Sequence, residues 1–295
     1  MQPQCVLAGE DILMRPIHAA AFVLPFVLST AAVAQSNWDK TYNVSGKAAL
    51  QIEVDDASMK VQPCGGCRTV RIHVDGKGSD LNRFRIVEMQ GGDGIHFSMK
   101  QRTEIRTFGS WHSRSPEITI ETPVETTLQA RAGDGSIAVA GLHGDVDVRT
   151  GDGSIAADDV SGGLRLTTGD GSIQLHRAEG TLLATTGDGS ISAEGRFSQV
   201  EVRSGDGSIQ LALLPGSKLA ASSRIASGDG SIALTVPRDL QAEITASAGS
   251  GNVANGLPLQ MTTSTGRRMV HGTMNGGGPS LRLQAGDGSI AMTTR

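Results

Sequence analysis

The pentapeptide Gly-Asp-Gly-Ser-Ile occurs seven times, beginning at Gly133, Gly151, Gly169, Gly187, Gly205, Gly228 and Gly286, and a degenerate copy, Gly-Ser-Gly-Asn-Val, begins at Gly249. The first five starts are 18 residues apart, and the later spacings of 23, 21 and 37 place insertions in that region. A fixed period of this length means one small structural unit used again and again. Alone, such a unit leaves its strand edges and half its apolar face uncovered, so the units must stack.

Each unit carries two apolar pairs. Ile137 and Val139 are followed by Val146 and Val148, Ile155 and Ala157 by Leu164 and Leu166, and Ile173 and Leu175 by Leu182 and Ala184. A spacing of two is the alternation of a strand with one buried face. The spacing of nine between pairs divides the unit into two strand-plus-turn halves, with Gly144, Gly162, Gly180, Ser198 and Gly216 at the second turn. The expected fold is all-β, a single parallel β-solenoid of 18-residue coils, with right-handed winding. In it Ile137, Ile155, Ile173, Ile191, Ile209, Ile232 and Ile290 form one inward ladder. Its rungs would lie ~4.8 Å apart, and each buried isoleucine would contribute roughly 1.5–3 kcal/mol. The motif glycines are expected at corners with positive φ.

Composition agrees with a thin aliphatic interior, since glycine is abundant at 39 residues and aromatics reach only 3%. The net charge of −4 argues against a nucleic-acid binder, which needs cations to displace the phosphate counterions. Upstream the pattern fades. Ile118 and Ile120 precede Leu128 and Ala130, and Ile95, Phe97 and Met99 follow Phe84 and Ile86 after a Gly-Gly-Asp-Gly turn. Asp55 to Met59 reads as a worn motif, with Val61, Val70, Ile72 and Val74 beyond it. The solenoid is therefore expected from about residue 45 onward, as irregular coils and a cap over 35–132 and regular repeats over 133–295.

Residues 1–34 read as an export signal. Met14 and Arg15 open a short positive region, 19–28 is apolar but too short to span a membrane, and Ala32-Val33-Ala34 suits cleavage before Gln35. Glu10 and Asp11 sit badly in such a leader, so Met14 is the expected initiator. No cysteine stands at the cleavage point, and the expectation is a periplasmic or extracellular protein without a lipid anchor.

Asp134, Asp152, Asp170, Asp188, Asp206, Asp229 and Asp287 would stack in a column. Neighbouring carboxylates ~4.8 Å apart repel by roughly 0.9 kcal/mol in water. Capping of the turns by Asp and Ser is the favoured reading, and a calcium ladder is the minor one. The calcium nonapeptide of toxin-type β-rolls places its Asp after the glycines and recurs every nine residues. Here the Asp lies between them and recurs every 18. One carboxylate per coil is also a thin supply for an ion that takes six to eight oxygens. No other cofactor is implied.

Cys64-Gly65-Gly66-Cys67 lacks the second pair of a zinc site, because Cys5 lies in the leader, and it lacks the helix start of a redox motif. A local Cys64–Cys67 disulfide is expected in an oxidising compartment. The stretch 102–115, with Arg102, Arg106, Phe108, Trp111, His112 and Arg114, and the pair Arg267-Arg268 are basic but read first as edge cover. Outward positions are Ala138, Ala156, Gln174, Ser192 and Gln210 on one strand and Asp147, Arg165, Leu183 and Glu201 on the other. No acid pair or nucleophile–base set recurs among them, so no catalytic residue is expected. Adjacent threonines such as Thr167-Thr168 point to opposite faces, which disfavours an ice-binding array.

The run of Gly-Asp-Gly-Ser-Ile units after a signal peptide resembles the bacterial putative-adhesin family of β-strand-repeat proteins, a domain of unknown function. The resemblance covers about residues 45–295 and is strongest over 133–234. It implies a parallel β-helix exported to the envelope, and it brings no catalytic residues. The expected function is a non-enzymatic rigid surface for adhesion, binding or envelope scaffolding. A carbohydrate-active β-helix enzyme is the alternative. Self-assembly is a third reading, because Ser289 to Thr293 would form an open edge unless 252–279 folds over it. An envelope protein or a surface glycan is the expected partner.

Overall fold

The computed structural model describes residues 36–102 and 115–295. The signal-peptide reading of 1–34, and Arg106, Phe108, Trp111, His112 and Arg114, lie outside the described residues. These are all-β: 23 strands and one 3-10 turn at Leu81–Arg83. The strands belong to one sheet in which most ladders are parallel.

Each 18-residue unit gives one strand to each of two columns. In the first column Ile155–Asp158 lies between Ile137–Ala140 and the start of Ile173–Thr186. In the second, Val146–Thr150 lies between Thr126–Ala132 and Ser161–Thr168. The 14-residue strands Ile173–Thr186 and Ile191–Ser204 run through both columns, turning the corner with register shifts at Leu175/Ala178 and Gly180/Thr181. The isoleucines pair in one unbroken file: Ile137, Ile155, Ile173, Ile191, Ile209, Ile232 and Ile290, each against the next. All seven are at most 1% exposed. Burying that file is a main source of cohesion between units.

The motif glycines are required for a different reason from the expected one. None of them has positive φ. A Cβ on Gly171 would stand 2.1 Å from the Gly153 carbonyl oxygen, and one on Gly189 2.0 Å from that of Gly171. The units approach this closely because the Gly169 N–H donates to Gly151 O at 2.5 Å and the Gly187 N–H to Gly169 O at 2.6 Å. Glycine here makes room for the neighbouring backbone. Positive φ belongs to the second turn, at Gly162 (+126°) and Gly180 (+120°).

A second feature of the corner is the hydroxyl just before each motif. Thr168 Oγ1 donates to Gly151 O (3.1 Å) and lies 2.8 Å from Gly153 O, and Thr150 and Thr186 repeat the arrangement. Ser204 and Ser227 each bond one such carbonyl at 3.0 Å. These side chains are buried and satisfy acceptors that water cannot reach. Ala132, Ala248 and Ala285 take the same place at the irregular ends.

At both ends, order in space departs from order in sequence. Ser58–Pro63 lies between Glu117–Thr122 and Ile137–Ala140, and Ala48–Val54 between Gly94–Gln101 and Thr126–Ala132. Met59 pairs with Ile137, so the worn motif at Asp55 is in register with the true ones. Val70, Ile72 and Val74 do not continue the parallel stack, and nor do Phe84 and Ile86. Thr69–Asp75 runs antiparallel to Glu117–Thr122 with Asn37–Asn43 outside it, and Phe84–Gly91 runs antiparallel to Gly94–Gln101. At the other end Ile290–Thr294 lies between Ile232–Val236 and Val253–Asn255. The segment 252–279 therefore covers Ile290 to Met292. Its hairpin, Gln260–Thr265 with Met269–Met274, adds antiparallel to Ala242–Ala248.

The N-terminal cap is clasped across the two columns. Lys40 Nζ and Tyr42 OH both donate to Glu88, and the Trp38 ring packs on Phe97 with centroids 5.3 Å apart. Burial pushes the Glu88 carboxyl up, but the bonds from Lys40 and Tyr42 outweigh it and leave it below its ordinary value. Burial, then the hydrogen bond to Glu88 and its charge, raise the Tyr42 phenol well above its ordinary range.

Candidate functional site

Outward side chains of the second column line a groove of about 960 Å³. It crosses eight adjacent strands from Phe84–Gly91 to the second half of Ile191–Ser204, a length of about 34 Å at the usual strand spacing. Registry aligns its side chains in files. One file runs Met89, His96, Gln51, Gln129, Asp147, Arg165, Leu183, Glu201. The file beside it is smaller, with Gly94, Ala49 and Thr127 at one end and Gly163, Thr181 and Gln199 at the other. Small residues in one file beside longer ones in the next make the surface concave there.

The groove's charges are mostly committed. Asp145 Oδ1 accepts the Gly163 N–H at 3.1 Å, Arg149 Nη2 donates to Asp147 Oδ2 at 3.0 Å, and Arg203 Nη2 pairs with Glu201 Oε1 at 2.5 Å. Among the described residues Arg165, Gln129, Thr127 and Thr181 have no side-chain partner. Along the file Asp147 and Glu201 are three strand spacings apart, about 14 Å. Glycosidase carboxylates stand about 5–9.5 Å apart and flank the scissile bond. Asp145 and Asp147 are close enough, but they project side by side from one strand.

The aspartates expected as a column are at the exposed corner: Asp134, Asp152, Asp170, Asp188, Asp206, Asp229 and Asp287. Asp56 precedes them in the worn motif, and burial, then the charges of Asp134 and Asp55, raise its carboxyl above the ordinary value. Of the two residue types expected to cap the turns, serine bonds backbone N–H groups of the next unit. Ser136 Oγ accepts from the Ser154 N–H at 3.3 Å, and Ser154 Oγ from the Ser172 N–H at 3.4 Å. Among the described residues the motif aspartates have one side-chain bond, from Ser250 Oγ to Asp287 Oδ1 at 2.9 Å. The described residues contain no cluster of three or more His, Cys, Asp or Glu placed to hold a metal ion. Cys64 and Cys67 are joined as a disulfide in the turn between Ser58–Pro63 and Thr69–Asp75, with Cα atoms 5.7 Å apart. Arg102 is exposed, and Arg267 and Arg268 lie in the exposed turn of the C-terminal hairpin.

The stacked corners extend through nearly the whole described chain, and a sequence family covers the same span: residues 48–293 match Toastrack DUF4097. The chain belongs to this family. Solved structures similar to this Toastrack chain include a putative adhesin from Bacteroides fragilis, 10% identical, covering 88% of this chain and 98% of that one with a TM-score of 0.42. A putative lipid binding protein from Parabacteroides distasonis is 12% identical, covering 87% and 96% with a TM-score of 0.46. A putative adhesin from Parabacteroides merdae is 10% identical, covering 87% and 96% with a TM-score of 0.39. No curated protein matches the sequence.

Two things escaped the sequence reading. Asp147, Arg165, Leu183 and Glu201 were legible as outward, and Gln129 lies one period before Asp147, but Gln51 and His96 join them only through pairing of strands far apart in the chain. The buried hydroxyls had a signal that could have found them: Thr, Thr, Thr, Ser and Ser immediately before five successive motifs.

Proposed function

We propose that this Toastrack chain is a non-enzymatic, exported protein without a lipid anchor, whose right-handed parallel β-solenoid serves as a rigid binding surface at the cell envelope. The groove is its binding site. One observation carries the reading: a groove of about 34 Å, by the usual strand spacing, runs along a floor whose strands are paired on both sides except for Phe84–Gly91 at its end, with its acids held by arginines or backbone. A paired floor cannot reshape easily, so the surface is pre-organised, which lowers the entropy cost of binding.

The alternative, a carbohydrate-active enzyme, draws on the same carboxylates. Their placement disfavours it, because Asp147 and Glu201 stand too far apart and each of the groove's acids is engaged by an arginine or a backbone N–H. Sedimentation with isolated bacterial envelopes, comparing the wild type with Thr181→Arg, tests the binding role. Thr181 is exposed on the groove floor, so the variant should fold normally and lose co-sedimentation. Steady release of soluble saccharides from envelope polysaccharide by the wild type would overturn the non-enzymatic reading.

A further inference from the structure

We infer that the groove binds an extended neutral polysaccharide segment lying along the stack, across the strands; this rests on the groove being the binding site. The floor excludes one common ligand mode. Its strands from Gly94–Gln101 onward are hydrogen-bonded on both sides, so a peptide lying over them finds no edge to extend; the one-sided strand Phe84–Gly91 stands only at the groove's end. Acidic side chains in the groove repel phosphate backbones, and Arg165 is the cation left without a partner among the described residues.

What remains is the chemistry of hydroxyl recognition. Gln129 can donate and accept at once, as can the hydroxyls of Thr127 and Thr181. The amide of Gln199 is engaged only by a long 3.5 Å contact to Ser222 O. Asp145, with one oxygen on the Gly163 N–H, keeps acceptor capacity for a sugar hydroxyl. These groups recur rung by rung at ~4.8 Å, close to the length of one pyranose in an extended chain. Gly163 and Ala49 leave the floor low enough for a ring to approach, and Leu183 offers a C–H face an apolar contact. Arg165, in the middle of the file, can donate to sugar hydroxyl and ring oxygens.

The test is calorimetric titration of the full-length secreted protein with cellohexaose, chitohexaose and hexagalacturonate. At least one hexamer should bind, and Thr181→Arg should weaken it tenfold or more. Gln129→Ala should weaken it several-fold, and Gln210→Arg, on the outer face of the other column, should leave it unchanged. Hexagalacturonate, repelled by the same groove acids as a phosphate backbone, should bind more weakly than the neutral hexamers; if it binds best, the neutral character of the glycan is overturned. Envelope binding that needs an open groove while no hexamer binds would overturn the glycan but keep the binding role. Hexamer binding indifferent to Thr181→Arg would overturn the site itself. Unchanged melting midpoints in the variants exclude misfolding as the cause.

Discussion

The middle of the molecule and its two ends solve the same problem differently. From Gly133 to Leu213 each unit lies on the one before it, and every strand edge is covered by the next copy. At the ends no further copy exists. There the chain sets its first and last parallel strands inside the stack, between later and earlier segments respectively, and covers the outside with antiparallel strands except at Val253–Asn255, which is parallel. Repetition is thus sufficient in the interior and fails at a boundary, where an unpaired edge invites association.

The largest difference should come from glycine. Gly171→Ala places a Cβ 2.1 Å from a carbonyl and should cost more than about 3 kcal/mol, since whole backbone ladders must separate. Gly266, in the C-terminal hairpin at φ +59° with open space around it, should cost only about 1 kcal/mol on change to Ala. Urea unfolding midpoints measure both, and equal losses would show that close stacking does not set the glycine requirement.

Next in size is the corner hydroxyl. Thr168→Val leaves the Gly153 carbonyl unsatisfied, while Gly151 O keeps the Gly169 N–H, and should cost about 1–3 kcal/mol. Ala285→Ser should be neutral or stabilising, because the equivalent acceptors at that end have no hydroxyl. The same unfolding measurement decides it, and a neutral Thr168→Val would remove the hydroxyl ladder from the account.

The cap should be sensitive to acid. The Glu88 carboxyl is depressed in the folded protein by Lys40 and Tyr42, against the opposing effect of burial. Its contribution is therefore complete above the unfolded value, near 4.5, and is lost as pH falls through the lower folded value. Trp38 fluorescence on Phe97 should report loosening of the cap over that acid range, and Glu88→Gln should abolish the pH dependence. A transition with the same midpoint in Glu88→Gln would assign it to other groups.

The smallest effect belongs to the exposed aspartates. Asp170→Asn should raise the melting midpoint slightly, by at most about 1 kcal/mol of relieved repulsion, and the gain should vanish in molar salt. A loss of stability would show that the carboxylate supports its corner.

Much of this was legible in the chain. The period of 18 fixed which residues face inward, because alternation along a strand leaves no other arrangement for Ile137 and Val139 beside Val146 and Val148. The reading of Asp55 to Met59 as a worn motif agrees with the Met59–Ile137 pairing. The antiparallel roles of Val70, Ile72, Val74, Phe84 and Ile86 were not legible, because alternation is the same in either direction. The reason for glycine at the motif was also hidden, since a close approach belongs to two units and not to one.

By itself the sequence determined the unit: its length, its two strands, its apolar file and its corner. Only the tertiary structure decided which units are neighbours at the ends and where the outer face is concave. Parallel ladders between similar strands differ little in energy, so local pattern cannot rank Ile290 against Ile232 or Val253 as partners. Pairing across 58 and 37 residues is settled by the packing of the whole stack, and the groove is a consequence of that packing.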